Sequence, residues 1–151
     1  MKNILGAVAF LVVANMEMAE GSTSPLRARI IALNYKLLNQ IQKTEKDKNI
    51  FISSLSIHEA ISMAYVGATG ATQLELANLL GISQEDSLEA LGDEWVSLRG
   101  SLQNADKKVT LEIANSMWGN SALRVKFLPR FVSLNQRAHD ALFEAGVGRW
   151  R

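Results

Sequence analysis

An α+β fold is what this chain predicts, with amphipathic helices in the majority and two short strands set among them. Helical periodicity carries most of the case. Ile30, Leu33, Leu37 and Ile41, and later Leu88, Leu91, Trp95, Leu98 and Leu102, recur at three- and four-residue steps, the spacing of a helix buried along one face. Two runs depart from that period. Asn49-Ile50-Phe51-Ile52 is rich in β-branched and aromatic side chains, and Val109, Leu111 and Ile113 alternate with Thr110 and Glu112. Both read as strands, the second extending to Met117. Glycines and hydroxyl-bearing capping residues separate the segments.

In chain order, Met1-Lys2-Asn3 precedes an apolar run from Ile4 to Ala14. One positive charge ahead of a short apolar stretch has the form of a secretory signal, and the run falls short of the about 20 residues that a spanning helix requires. Ala19 and Gly21 supply small residues at a cleavage site, which makes residues 1–21 the signal. Cleavage after Ala14 and a buried N-terminal helix are the alternatives. Ser24-Pro25 then opens the first long helix, a capping serine with proline at N1, where its missing N–H costs nothing. That helix gives way to Lys43-Thr44-Glu45-Lys46-Asp47-Lys48, a mixed-sign solvated loop.

The stretch from Asn49 to Leu80 organises the rest. After the first strand, Ser53, Ser54 and Ser56 turn the chain into a helix. Ser56 and Glu59 have capping-box spacing, or Ser53 caps one turn earlier. Ile57, Ala60, Ile61, Ala64 and Tyr65 then form one apolar face. Gly67 stands where a left-handed residue would end the helix. Thr72 and Glu75 read as a second capping box, opening a leucine-rich helix that Gly81 closes. Ser83 to Ser87 form a turn and cap before the Leu88–Leu102 helix, expected despite Gly92 and Gly100. After the second strand, Pro129 suits the first turn of a helix bearing Phe131, Leu134, Ala138 and Leu142.

Composition narrows the function. The 151 residues are 48% hydrophobic and 21% charged, enough for one domain with a real core. The net charge is +1, and removal of residues 1–21 takes away Lys2, Glu17 and Glu20 and raises it to +2. So balanced a chain points to neither nucleic acid nor an anionic membrane surface. Cysteine is absent, which excludes disulfides, a thiolate nucleophile and cysteine-based metal sites. His58-Glu59 begins like a zinc-protease motif, but Ser62 occupies the place of the required second histidine, leaving a cap glutamate beside an incidental histidine. His139-Asp140 are sequence neighbours without the geometry of a triad. Gly67-Ala68-Thr69-Gly70 lacks a following lysine to meet a phosphate, and Trp95, Trp118 and Trp150 are too dispersed for a stacking platform. No catalytic centre, metal site or cofactor is expected.

The pattern from Asn49 onward resembles the serpins. Asn49, Phe51, Ser53, Ser56, Ile57, Ala60, Tyr65, Gly67, Ala68, Gly70 and Thr72 fall in register with the family's N-(I/V)-F-x-S-P-x-S-I, its small-residue helix and its Y-x-G-A-x-G-x-T. Thr110 to Gly119 resembles a strand of the family's main sheet, and Phe127 to Ala141 the helix that follows. Ser54 stands where the family usually has proline, losing a fixed φ at the helix start. The resemblance covers roughly Leu26 to Glu144. It implies that residues 22–145 are the N-terminal portion of a serpin domain, followed by a divergent tail, 146–151. The fold it implies is serpin-like N-terminal helices with isolated strands of the family's sheets, truncated before most of the main sheet and the reactive loop.

The function the resemblance implies is inhibition of a serine-type endopeptidase. A target serine or cysteine protease attacks an exposed loop, and the cut loop inserts into the main sheet as a new strand. By position, Ser53 and Ser56 correspond to the shutter serines where that sheet parts; simple helix capping is the alternative, and the two roles are compatible. The reactive loop lies near the family's C-terminus, so these 151 residues are expected to be secreted but non-inhibitory as they stand. A non-inhibitory secreted binding or carrier protein, or a helical protein-interaction module, is the alternative. The family's basic heparin-binding helix would fall at Ser87–Leu102, where Glu89, Asp93 and Glu94 face a lone Arg99. That balance argues against a glycosaminoglycan partner, and no apolar run supports stable membrane anchoring of the mature chain.

Overall fold

The computed structural model describes residues 24–45, 48–83, 85–120 and 126–146. The expected signal at 1–21 and the end of the expected tail, 147–151, lie outside these residues, as do Lys46 and Asp47. The order of elements is α1 (Pro25–Thr44), α2 (Ser54–Tyr65), α3 (Gly70–Leu80), α4 (Leu88–Gln103), β1 (Asn115–Asn120), α5 (Pro129–His139) and β2 (Ala141–Gly146). The arrangement is α+β with helices predominating, as the periodicity predicts. Leu26 and Ile30 of α1 meet Trp95 and Leu98 of α4 and Ala138 of α5 in one buried cluster, with Leu55 and Leu102 against its edge. Each aliphatic side chain removed from water there contributes about 1.5–3 kcal/mol. α4 and α5 run close at Gly92, where an added Cβ would lie 3.4 Å from the Ala138 Cβ, at van der Waals contact.

β1 and β2 pair in parallel, in register from Asn115 opposite Ala141 to Asn120 opposite Gly146, and α5 is the crossover between them. A triad of phenylalanines fastens that unit. Phe143 on β2 meets Phe131 of α5 at 5.8 Å and Phe127 at 5.1 Å between ring centroids, both edge-on, the favoured aromatic geometry.

Several local expectations are corrected. Asn49–Ile52 is not a strand, and Phe51 is 94% exposed. The second strand starts at Asn115, leaving Val109 and Leu111 in irregular, exposed chain. Strand propensity is realised only through a pairing partner, and among the described residues these runs meet none. Ser53, not Ser56, caps α2, its Oγ accepting from the Ser56 amide. Thr72 and Glu75 lie inside α3, which starts at Gly70. Gly67 is not left-handed; among the described residues the positive-φ glycines are Gly70 and Gly81, and Gly81 does close α3. Gly67 matters for a different reason: a Cβ there would sit 2.7 Å from Phe131 Cε2, so the Phe131 ring would have to move. Leu142 is not on the last helix. Asp140 takes a left-handed conformation, φ 50°, and ends α5 after His139, so Leu142 falls in β2.

The largest correction concerns which face of α2 is buried. Of the apolar face read from Ile57, Ala60, Ile61, Ala64 and Tyr65, Tyr65 alone is buried, and the other four are half-buried or exposed. The buried side chains are His58, Glu59, Ser62, Met63 and Tyr65, turned toward α1, α4 and α5.

Candidate functional site

Ser53 sits in extended backbone at the head of α2, and its Oγ lies 2.9 Å from Ser56 Oγ and 3.3 Å from the Ser56 amide. The two serines singled out by the sequence are thus brought together in one exposed turn. Their hydroxyls both donate and accept, so each is able to exchange one partner for another without a change of volume.

One turn further along, α2 points three polar side chains into the interior. His58 is 1% exposed, Glu59 3% and Ser62 6%, burial that such groups tolerate only with partners. His58 Nε2 lies 3.4 Å from the Leu80 carbonyl and Nδ1 lies 3.2 Å from Ser62 Oγ. The carbonyl only accepts, so Nε2 carries the proton and the bare Nδ1 accepts from the serine. Burial, reinforced by the charge of Arg29 and by His139, lowers the imidazole pKa to about 4, against the opposing pull of the Leu80 carbonyl.

Glu59 is the anion of a second chain of contacts. Its Oε1 lies 3.2 Å from Arg99 Nη2 and 3.4 Å from His139 Nδ1. Burial pushes this carboxyl up, but the hydrogen bonds from His139 and Arg99 outweigh it and hold the group below its ordinary range. Its contribution to stability is therefore complete above the ordinary carboxylate pKa and is lost as pH falls through the lowered one. The same Arg99 Nη2 donates to the Ala138 carbonyl at 2.8 Å, and Asn115 donates to the His139 carbonyl at 2.9 Å. Both carbonyls belong to the last turn of α5, where helix geometry leaves them without partners. A cation there also answers the helix dipole. Trp95 lies between the two imidazoles, its ring 5.7 Å from His58 and 5.3 Å from His139.

A serine hydroxyl on an imidazole is half of a hydrolytic pair, and here both groups are buried. The adjoining cavity, lined by Leu26, Ser62, Leu91, Trp95 and His139, holds about 20 Å³, room for about one water. Among the described residues no cluster of His, Asp and Glu is arranged to hold a metal ion, and no helix is long and apolar enough to cross a membrane. Glu59 is thus no cap, and His58 no incidental neighbour, as the sequence led one to expect. The missed signal was the placing of His58, Glu59 and Ser62 on one side of a helix otherwise poor in polar residues.

The surface of α4 is also paired off. Glu89 meets Arg130, Asp93 meets Arg137, and Glu94 meets Arg29, which also holds Asp86.

The pattern of the serpin family (serine protease inhibitor) matches residues 29–146. The chain belongs to that family. Human neuroserpin is 33% identical over 124 residues, covering 80% of this chain and 28% of neuroserpin. Iripin-1 of Ixodes ricinus is 34% identical over 119 residues, covering 74% of this chain and 27% of its own length. Leukocyte elastase inhibitor A of Rattus norvegicus is 27% identical over 106 residues, 70% of this chain and 27% of that protein. The chain spans less than a third of the length of these serpins, and what it matches is the N-terminal portion of a serpin.

Proposed function

We propose that this chain is the N-terminal portion of a secreted serpin whose whole form inhibits a serine or cysteine protease by reactive-loop insertion. The family match over residues 29–146 carries that reading, together with the inhibitors among its relatives. Residues 22–145 form the serpin portion and 146–151 the diverging tail. Ser53 and Ser56 act as shutter serines. Their shared, exposed hydrogen bond favours this, because it breaks without opening the core. Neither nucleic acid nor a glycosaminoglycan is a partner, since the acids of α4 already occupy the neighbouring arginines.

The polypeptide of residues 1–151 does not itself inhibit, because the family's reactive loop belongs to a part of the serpin outside the matched region. Incubated with trypsin-, chymotrypsin- and elastase-like proteases and run on denaturing electrophoresis, it should give no protease-sized shift. A covalent, denaturant-resistant band would show that a loop within these residues is acylated.

Residues 1–21 direct export and are removed. Lys2 ahead of the Ile4–Ala14 run supports this. Mass spectrometry of material expressed in a secretory host should find a new N-terminus between Asn15 and Ser24. Intact Met1 on retained protein counts against it.

A further inference from the structure

We propose that His58 is an acid-sensitive latch, neutral while α2 is closed onto α3 and α4 and protonated when that junction opens. The geometry admits one protonation state. Nε2–H is committed to the Leu80 carbonyl at the end of α3, and Nδ1 accepts from Ser62 one turn along α2. A second proton on Nδ1 meets a hydroxyl already donating, so Ser62 must turn and the imidazole becomes a buried cation.

Among the described residues no anion around the ring compensates that charge, and the Leu80 carbonyl offsets it only in part. From α1 the facing group is Arg29, a cation already held by Asp86 and Glu94. From α3 it is the Leu80 carbonyl, from α4 the Trp95 ring, and from α5 His139. On α2 itself Glu59 is engaged by Arg99 and His139. Among the described residues no carboxylate bonds to His58. The adjoining cavity has room for about one water, too little to hydrate an imidazolium. Opening the junction exposes the ring to solvent and to its ordinary basicity, so acid drives the opening.

With an ordinary pKa of 6.5 in the open form and about 4 in the closed one, the opening constant rises roughly 30-fold between pH 7.5 and pH 5. Glu59 titrates below that window and acts in the same direction.

Native-state hydrogen exchange on the 151-residue chain, corrected for intrinsic rates, is the test. Opening of the α2 and α3 amides in the wild type should increase roughly 30-fold across that range. His58→Gln should flatten the dependence to within about threefold, while His139→Gln should retain it. Ring titration by NMR gives a readout on the wild type alone, should His58→Gln fail to fold: the His58 ring should titrate well below its ordinary value. A pH-independent wild type, an equal rise in His58→Gln, loss of the rise in His139→Gln, or a His58 ring titrating near 6.5 overturns the latch.

Discussion

Glu59→Ala is expected to destabilise the chain by about 3–5 kcal/mol, the cost of removing one member of a buried ion pair. The carboxylate is 3% exposed and is the acid that faces both Arg99 and His139. Without it the Arg99 guanidinium, whose Nε already lacks a partner among the described residues, keeps among them only the Ala138 carbonyl. The loss is large because charge is left behind, not because the pair is strong. Glu59→Leu combined with Arg99→Leu should therefore recover most of the stability, since apolar replacement of a whole buried pair is often close to neutral. Urea melts of the single and double variants measure both. A double variant as unstable as the single would show that the cost lies in packing, not in the stranded cation.

Trp95→Ala should cost about 3–5 kcal/mol. The indole is 4% exposed, belongs to the main hydrophobic cluster and separates the rings of His58 and His139. Its removal enlarges the small cavity beside the two imidazoles and leaves α4 without its central contact to α2 and α5. Trp118→Ala is the matched control, because Trp118 on β1 is 60% exposed and surface changes stay within about 0.5 kcal/mol. Chemical denaturation followed by far-UV circular dichroism distinguishes the two without relying on tryptophan emission. Equal effects would mean that β1 contributes to the core as much as α4 does.

Helices were the most legible part of the sequence, because a helix satisfies its own backbone hydrogen bonds and shows its buried face as a period. Leu88, Leu91, Trp95, Leu98 and Leu102 are buried or half-buried in α4, as their spacing predicts. Pro25 and Pro129 stand in the first turns of α1 and α5, and Gly81 ends α3. Strands were less legible, since the backbone groups of a strand are satisfied by another segment. Ile50-Phe51-Ile52 has the composition of a strand and Asn115–Asn120 has little of it, yet only the latter pairs. The serine turn at Ser53 and Ser56 was readable as a local hydrogen-bonding unit, and the structure joins those two side chains directly.

The sequence by itself determined the family and the helical segments, because these depend on residue identity and on contacts within a few positions. Tertiary structure alone decided which side of α2 faces inward. The apolar residues Ile57, Ala60, Ile61, Ala64 and Tyr65 predicted one face, but of these Tyr65 alone is buried, and packing against α4 and α5 buries His58, Glu59 and Ser62 beside it. Burial of His58 and Glu59 depends on Leu80, Arg99 and His139, which lie 22, 40 and 80 positions away along the chain. A polar side chain is stable inside a protein only when partners satisfy it, and where those partners are distant no local period announces them.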